Sequence, residues 1–205
     1  MLGATGGTGQ EVVAQAVEQG YEVTALVRSP ARLLTRSERL RVLTGDVTAE
    51  GPELAQAVRG QDAVISALGR GTSFKPDGMI AQSAPRIMRA METAGVRRLI
   101  FTSAFGVGET YRDLPFLPRQ MIRFLLGGIY ADKEAGEEAI RRSGLDWTVV
   151  YPSALTNGPG TGRYRHGERL ELRGLPRISR ADLAEFLVRQ IADTSYLRKG
   201  VLVSS

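Results

Sequence analysis

The chain has 205 residues, 42% hydrophobic and 24% charged, enough to bury one core of ordinary domain size. It carries no cysteine, which excludes a disulfide framework, a thiolate nucleophile and a cysteine-ligated metal. The formal charge of +5 is spread along the chain rather than gathered in a tail, so a solvated surface and a few arginines for a polyanionic small molecule are expected, not a nucleic-acid partner.

Met1 and Leu2 run straight into a glycine-rich stretch, Gly3 to Gly9, without the pattern of a secretory signal. Helical spacing follows over 9–19, where Val12, Val13, Ala16 and Val17 share a face. A strand is expected over 21–27, a helix over 30–36, a strand over 40–43 and a helix over 52–59. A strand over 63–67, a helix over 77–94 with Pro85 inside it, and a strand over 99–103 come next. Residues 105–128 read as a loop leading into an amphipathic helix, with helical spacing over 118–142. Tyr111, Phe116, Met121, Phe124 and Leu125 could close as a lid over a planar substrate or pack as ordinary core. The remainder gives a strand over 147–151, a loop over 152–167, a short strand over 170–172, a helix over 180–193 and a last strand over 201–203. Gly20 and Gly60 stand where helices would end in a left-handed residue. No apolar run approaches the roughly 18 residues of a membrane span, so a cytoplasmic protein without membrane association is expected.

Strands alternating with crossover helices imply an α/β protein with a doubly wound parallel sheet, a Rossmann fold. No linker or repeat divides it, so one domain over 1–205 is expected, with 153–205 as a substrate-side portion. Only Met1 and Leu2 precede the glycine loop, although the first strand of this architecture is central and typically about 5–6 residues long.

The loop reads Gly3-Ala4-Thr5-Gly6-Gly7-Thr8-Gly9. Glycines at 3, 6 and 9 suit, in turn, a tight turn, backbone close to a pyrophosphate, and a helix close to the sheet. The helix that starts there offers free N–H groups and its dipole to an anion. Dinucleotide binding by Gly3, Thr5, Gly6, Gly7, Thr8 and Gly9 is therefore expected. At the end of the second expected strand, where an NAD site usually places an acid, stand Arg28 and Arg32. Guanidinium forks suit a 2′-phosphate, so the expected cofactor is NADP(H). Asp46 could accept from the adenine amino group while Val47 packs on the ring. Leu68 and Gly69 follow a strand end where backbone would pass the cofactor, with Arg70 facing phosphate or solvent.

With these residues placed, the chain resembles the atypical short-chain dehydrogenase/reductases, most of all the NmrA-like and biliverdin reductase B (flavin reductase) subgroup. The likeness rests on the glycine loop, on Val27 to Arg32, Gly45-Asp46-Val47, Thr102-Ser103-Ala104-Phe105, Ser143-Gly144-Leu145 and Arg177 to Leu183. It implies an NADP(H)-dependent reductase of planar conjugated substrates such as flavins, biliverdins or quinones. It also implies Arg28 and Arg32 at the 2′-phosphate, Asp46 and Val47 at the adenine, and Ser103 on the nicotinamide side, with the Tyr151-Pro152-Ser153 segment passing the nicotinamide. Where the flavin reductase pattern has a histidine two residues after that proline, this chain has Ala154.

Carbonyl reduction needs a proton donor near the oxygen. The Tyr-x-x-x-Lys pair of short-chain dehydrogenases is absent: Tyr130 and Lys133 are separated by two residues. Ser103, at the carboxyl end of its strand, and Lys133, which the resemblance places at the cofactor ribose and which otherwise reads as a surface lysine paired with Glu137, are the candidate catalytic residues. His166, the only histidine, lies in a polar stretch and reads as a surface residue; no metal-ligand spacing occurs. Two functions stay open: an NADPH-dependent reductase of a small molecule, and an NmrA-like dinucleotide sensor without turnover. Epimerase chemistry would want the missing tyrosine. A monomer or homodimer is expected.

Overall fold

The computed structural model describes residues 1–69, 78–113, 127–172 and 174–205. Strands β1 (Val23–Val27) and β2 (Leu40–Thr44) pair in parallel. Strands β3 (Ala63–Ser66), β4 (Arg98–Thr102) and β5 (Asp146–Pro152) run parallel to one another, and β9 (Lys199–Ser204) joins β5 in the same sense. At the far edge β7 (Arg165–Gly167) turns antiparallel to β9. Two short strands, β6 (Ala154–Thr156) and β8 (Arg177–Ser179), pair apart from the main sheet.

Leu2 joins the two groups of strands. It bridges Leu26 on one side and Ser66 on the other, both in parallel sense. Its N–H donates to the Ile65 carbonyl at 2.9 Å, and its own carbonyl accepts from Ala67 at 3.0 Å. The order is thus β2-β1-Leu2-β3-β4-β5-β9-β7. Leu2 thus occupies the position of the central strand and keeps its backbone pairing just below the glycine loop. From there the chain first winds outward to β1 and β2, then returns to β3 on the opposite side. Doubly wound sheets bind ligands at the carboxyl ends of their strands at such a reversal.

Alternate strand residues feed two cores. Leu99, Phe101, Trp147, Val149, Tyr151 and Leu202 face helices α2 (Glu53–Val58), α3 (Met79–Ala94) and α4 (Gly127–Arg142). Ile100, Val150, Val201 and Val203 face α1 (Gly7–Glu18) and α5 (Arg180–Arg189). A sheet buried on both faces explains the near-continuous apolar runs of β4 and β5. The described helices offer no segment long and apolar enough to cross a membrane.

Several boundaries differ from expectation. The helix expected over 30–36 is one 3-10 turn, Pro30–Arg32, after which Leu33 extends and buries its side chain. Gln10 of α1 pins that break, donating to the Arg32 carbonyl at 2.6 Å and accepting from Leu34 N–H at 3.0 Å. Residues 170–172 form no strand: Leu170 packs on the α3-side core, and the edge pairing falls to β7. Pro85 does lie inside α3. Of the expected lid, Phe116, Met121, Phe124 and Leu125 lie outside the described residues, as does Arg70.

Helix ends are fixed from afar. Asp132 of α4 caps α3, accepting from Ile80 N–H at 3.1 Å and Ala81 N–H at 2.8 Å. Gly136 lets the two helices approach, since a methyl there would lie 2.6 Å from an Ile80 methyl. Ser179 caps α5 by accepting from Asp182 N–H at 2.9 Å. Asp182 itself accepts from Thr161 N–H at 2.7 Å, Gly162 N–H at 2.8 Å and two hydroxyls, stapling the 157–163 loop to α5. Burial opposes ionisation of this carboxyl, but those donors outweigh it and hold it below the usual carboxylate range. Asp182→Ala should therefore cost about 1–3 kcal/mol in a denaturant titration at neutral pH. Because the folded pKa is depressed, this contribution is present above the unfolded value near 4 and fades as pH falls through the folded one. The gap between wild type and Asp182→Asn should accordingly narrow in acid.

Candidate functional site

A cavity of about 340 Å³ opens at the carboxyl edge around Leu2. Of the residues expected to hold a dinucleotide, Gly3, Thr5, Gly6, Arg28, Arg32, Asp46, Val47, Leu68 and Gly69 line it. Four elements supply them: the glycine loop, the end of β1, the turn after β2 and the end of β3.

The three spaced glycines are there for different reasons. Gly3 has φ +80°, and a methyl on it would lie 2.5 Å from the Ala67 carbonyl oxygen. A methyl on Gly9 would overlap the Gly3 carbonyl and sit 2.8 Å from Ala4 Cα. Both positions are dictated by the protein's own backbone. Gly6 is different: it is exposed, its φ is −78°, and a methyl would meet only the Gly3 oxygen, at 3.4 Å. Nothing in the protein demands glycine there. As N-cap of α1 it offers no side-chain oxygen to the helix, and no acid stands in the first turn. The first N–H groups of α1 are thus left for an anion, whose approach a side chain at residue 6 would obstruct. The cradle fits a diphosphate.

Arg28 and Arg32 line the cavity beyond the end of β1. The Arg28 side chain is 73% exposed and its Nη1 lies 3.9 Å from Asp46 Oδ2. Asp46 spends its other oxygen on Thr48, accepting from the N–H at 2.9 Å and the hydroxyl at 2.8 Å. Those two bonds, with Arg28 adding, hold Asp46 below the usual carboxylate range and so ionised. Oδ2 stays available to accept from an adenine amino group. Val47 is buried and forms cavity wall as well as core.

Of the remaining expected loop residues, Thr8 is buried in the first turn of α1. Gly7, itself exposed, has beside it a residue that sequence reasoning missed: a methyl on Gly7 would lie 2.7 Å from Arg180 Cδ and Nε. Arg180 opens α5, and its Nη1 donates to Asn157 Oδ1 at 2.5 Å. A guanidinium therefore lies over the start of α1, where a diphosphate would arrive. The Ser-x-x-Asp start of α5 was legible in the sequence; the meeting of α5 with α1 across the sheet was not.

The residues expected at the nicotinamide lie outside that cavity. Ser103 follows β4, with its N–H on the Val150 carbonyl at 2.8 Å and its Oγ on Glu137. Ser153 follows β5, and its Oγ is buried with no hydrogen-bond partner among the described residues. An orphan hydroxyl at the carboxyl edge suits a polar ligand group. Pro152 ends β5, and its carbonyl accepts from Phe105 N–H at 3.1 Å. Tyr151 turns its ring into the α3-side core, and its hydroxyl donates to Glu137 Oε2 at 2.6 Å. Its side chain supports Glu137 and does not line the cavity at the glycine loop.

Lys133 does not form an exposed pair with Glu137. Glu137 is only 2% exposed, and Lys133 is half-buried beside it. Burial lowers the Lys133 ammonium, with Glu137 and Asp132 pulling the other way. The signal was present in the spacing, since Gly136, Glu137 and Ile140 are the buried residues of α4 and share one face. Tyr130 donates its hydroxyl to the Phe105 carbonyl at 3.2 Å, and burial raises its pKa.

His166 is half-buried rather than a free surface residue. Its ring centroid lies 5.1 Å from that of Phe186. Nε2 faces Arg189 Nη2 at 2.9 Å and Nδ1 faces the Tyr196 hydroxyl at 2.8 Å. A guanidinium only donates, so Nε2 accepts and Nδ1–H donates. Burial, then Arg189, lowers its pKa and keeps it neutral. No group of acidic residues and histidine fit to hold a metal occurs among the described residues.

The sequence profile of the NAD(P)H-binding family matches residues 3–194. The chain belongs to that family. Membership agrees with the resemblance to atypical short-chain dehydrogenase/reductases and with the Rossmann topology. Among its relatives, an uncharacterized chloroplastic protein of Arabidopsis thaliana, At2g34460, is 31% identical over 79% of this chain, which spans 60% of that protein. YhfK of Bacillus subtilis, described as an uncharacterized sugar epimerase, is 26% identical over 93% of this chain and 86% of its own length. The (4-alkanoyl-5-oxo-2,5-dihydrofuran-3-yl)methyl phosphate reductase of Streptomyces griseus is 32% identical over 74% of this chain, which spans 46% of that enzyme. In fold, ChuY, an anaerobillin reductase from Escherichia coli O157:H7, superposes with a TM-score of 0.80 at 21% identity, covering 98% of this chain and 94% of its own.

Proposed function

We propose that this family member is an NADP(H)-dependent reductase that passes hydride to a flavin, a quinone or a similar conjugated small molecule. The observation that carries the reading is the cradle. An open Gly6 at an uncapped helix start suits the diphosphate, and two guanidinium groups stand at the adenosine end where an NAD site would place an acid. In this reading Gly6 and the first turn of α1 hold the diphosphate from one side and Arg180 from the other. Arg28 and Arg32 hold the 2′-phosphate, Asp46 and Val47 the adenine, and the backbone at Leu68 and Gly69 passes the cofactor. The bound dinucleotide supplies the hydride. Ser103, Lys133, Pro152 and Ser153 orient the nicotinamide and the acceptor, and Ser103 presents the proton. The reductase relative from Streptomyces supports the reaction class; the fold alone does not choose it.

A second reading, an NmrA-like dinucleotide sensor, is favoured by one observation: the tyrosine next to Lys133 is committed to the Phe105 carbonyl and does not serve as acid. One assay separates the two. The reductase should oxidise NADPH in the presence of at least one member of a panel of flavins and quinones. Binding of NADPH without turnover across the panel would leave the sensor.

A further inference from the structure

Behind Ser103 lies a buried chain of hydroxyl, carboxyl and guanidinium groups that cofactor binding does not use. Glu137 of α4 reaches Ser103 Oγ with Oε1 and Tyr151 with Oε2. Arg141, one turn further along α4, donates from Nη2 to the Tyr151 oxygen at 2.9 Å and pairs with Glu109 at 2.8 Å. On the far side Glu137 forms part of the wall of a second cavity, about 570 Å³, with Gly108, Glu109, Glu134, Glu138 and Arg141. Gly108 (φ +52°) stands close against the carboxyl, for a methyl there would lie 2.7 Å from Oε2.

The donors set a direction. Arg141 cannot accept, so the Tyr151 oxygen receives its hydrogen and the Tyr151 O–H is turned onto Oε2. Oε2 is therefore an acceptor. If Glu137 carries a proton, that proton sits on Oε1 and is donated to Ser103 Oγ, which leaves the Ser103 hydrogen facing outward from the strand end. If Glu137 is ionised, the Ser103 hydrogen is drawn back onto the carboxylate and the acceptor gets none. The protonation of one carboxyl decides whether the serine can act as an acid.

We propose that Ser103 and Glu137 form a proton relay that stands in for the absent Tyr-x-x-x-Lys pair, fed from the second cavity. As an acceptor carbonyl carbon gains hydride, its C=O π bond opens and the oxygen takes the Ser103 proton. Ser103 Oγ takes the Oε1 proton of Glu137; water in the second cavity then protonates the carboxylate at Oε2, and rotation of the carboxyl about its Cγ–Cδ bond brings that proton back to the Ser103 side. One hydride and one proton are consumed per carbonyl reduced, and the nicotinamide dinucleotide is the reductant. Ser103 is the group that touches substrate; Glu137 acts through it. The groups facing Glu137 are Ser103 beyond β4, Tyr151 on β5 and Lys133 and Arg141 on its own helix, with Glu109 behind Arg141. Burial raises the Glu137 carboxyl against the combined pull of Ser103, Tyr151, Arg141 and Lys133.

The relay rests on the reductase reading, and the test keeps their failures apart. NADPH oxidation with an ortho-quinone is followed across pH for wild type, Glu137→Gln and Ser103→Ala, with NADPH affinity measured by calorimetry. Wild-type kcat should fall about tenfold per pH unit above the raised Glu137 pKa. Both variants should lose roughly 100-fold in kcat with flat profiles, and Glu137→Gln, which touches no cofactor in this reading, should keep NADPH affinity within about twofold. The double variant should lose no more than either single one, as members of one unit do. A Glu137→Gln enzyme with wild-type rate and pH profile overturns the relay while leaving hydride transfer standing. A wild type that binds NADPH but oxidises none with any acceptor overturns the reductase reading, and the relay with it. Should Glu137→Gln fail to bind NADPH, Tyr151→Phe carries the test. Removing one donor from Oε2 should move the falling limb to higher pH, and an unmoved limb overturns the relay.

Discussion

Gly6→Ala should leave the fold intact and weaken dinucleotide binding, whereas Gly9→Ala should damage the fold itself. The two positions look equivalent in the G-x-x-G-x-x-G spacing and differ only in what surrounds them. At residue 9 an added methyl meets the backbone of Gly3 and Ala4, and backbone cannot swing aside. Helix α1 would have to lift from the sheet, where Val12 and Ala16 pack against Ile65 and Ile100. Overpacking of that kind costs about 1–3 kcal/mol or more. For a chain of this size 3 kcal/mol lowers the thermal midpoint by roughly 6–12 °C. At residue 6 the methyl meets an oxygen at ordinary contact distance and an allowed backbone, so the midpoint should stay within about 2 °C of wild type. In the proposed binding mode the same methyl takes the space of a diphosphate oxygen and should raise the NADPH Kd by roughly 10- to 100-fold. Thermal melts and calorimetry on the two variants read both quantities. A Gly6→Ala protein that binds NADPH like wild type would show that the diphosphate lies elsewhere.

What the sequence disclosed follows from which interactions are local. The strands later seen as β4 and β5 announce themselves because each is buried on both faces, and the runs Leu99-Ile100-Phe101 and Val149-Val150-Tyr151 have no polar side to show. The glycine loop is legible because its requirements come from backbone a few residues away. Gly20 and Gly60, with φ of 90° and 71°, end their helices as a local rule requires. The misses are tertiary. The expected 30–36 helix breaks because Leu33 finds a pocket and Gln10, from another element, takes the backbone groups that the helix would have used. Leu2 works as a central strand because neighbours from β1 and β3 pair with it on both sides. His166 reads as polar in sequence and becomes a packed, neutral ring through Phe186, Arg189 and Tyr196. Glu137 reads as half of a helical ion pair, yet α4 turns it inward.

Arg28→Ala should cost NADPH roughly 10- to 100-fold in affinity and NADH less than about twofold, the ~1.5–3 kcal/mol of a charge-assisted bond to phosphate. The side chain stands free enough to take such a bond: most of its surface is open, and Asp46, its ion-pair partner among the described residues, is held at 3.9 Å, beyond a close ion pair. Asp46 does not depend on Arg28 to stay ionised, because Thr48 supplies two donors. Removing the arginine should therefore leave the proposed adenine contact intact, and NADH, which carries no 2′-phosphate, should lose little. Arg32 is held differently, on a 3-10 turn whose carbonyl Gln10 grips, and its loss should add to the first rather than replace it. Salt offers an independent check, since an exposed guanidinium–phosphate pair is screened over about 8–10 Å at physiological ionic strength. Raising salt should weaken wild-type NADPH binding more than NADH binding, and Arg28→Ala should reduce that difference. Equal losses for both dinucleotides would mean that Arg28 supports the loop and selects nothing, moving the choice of cofactor from charge at the end of β1 to the shape of the adenine pocket.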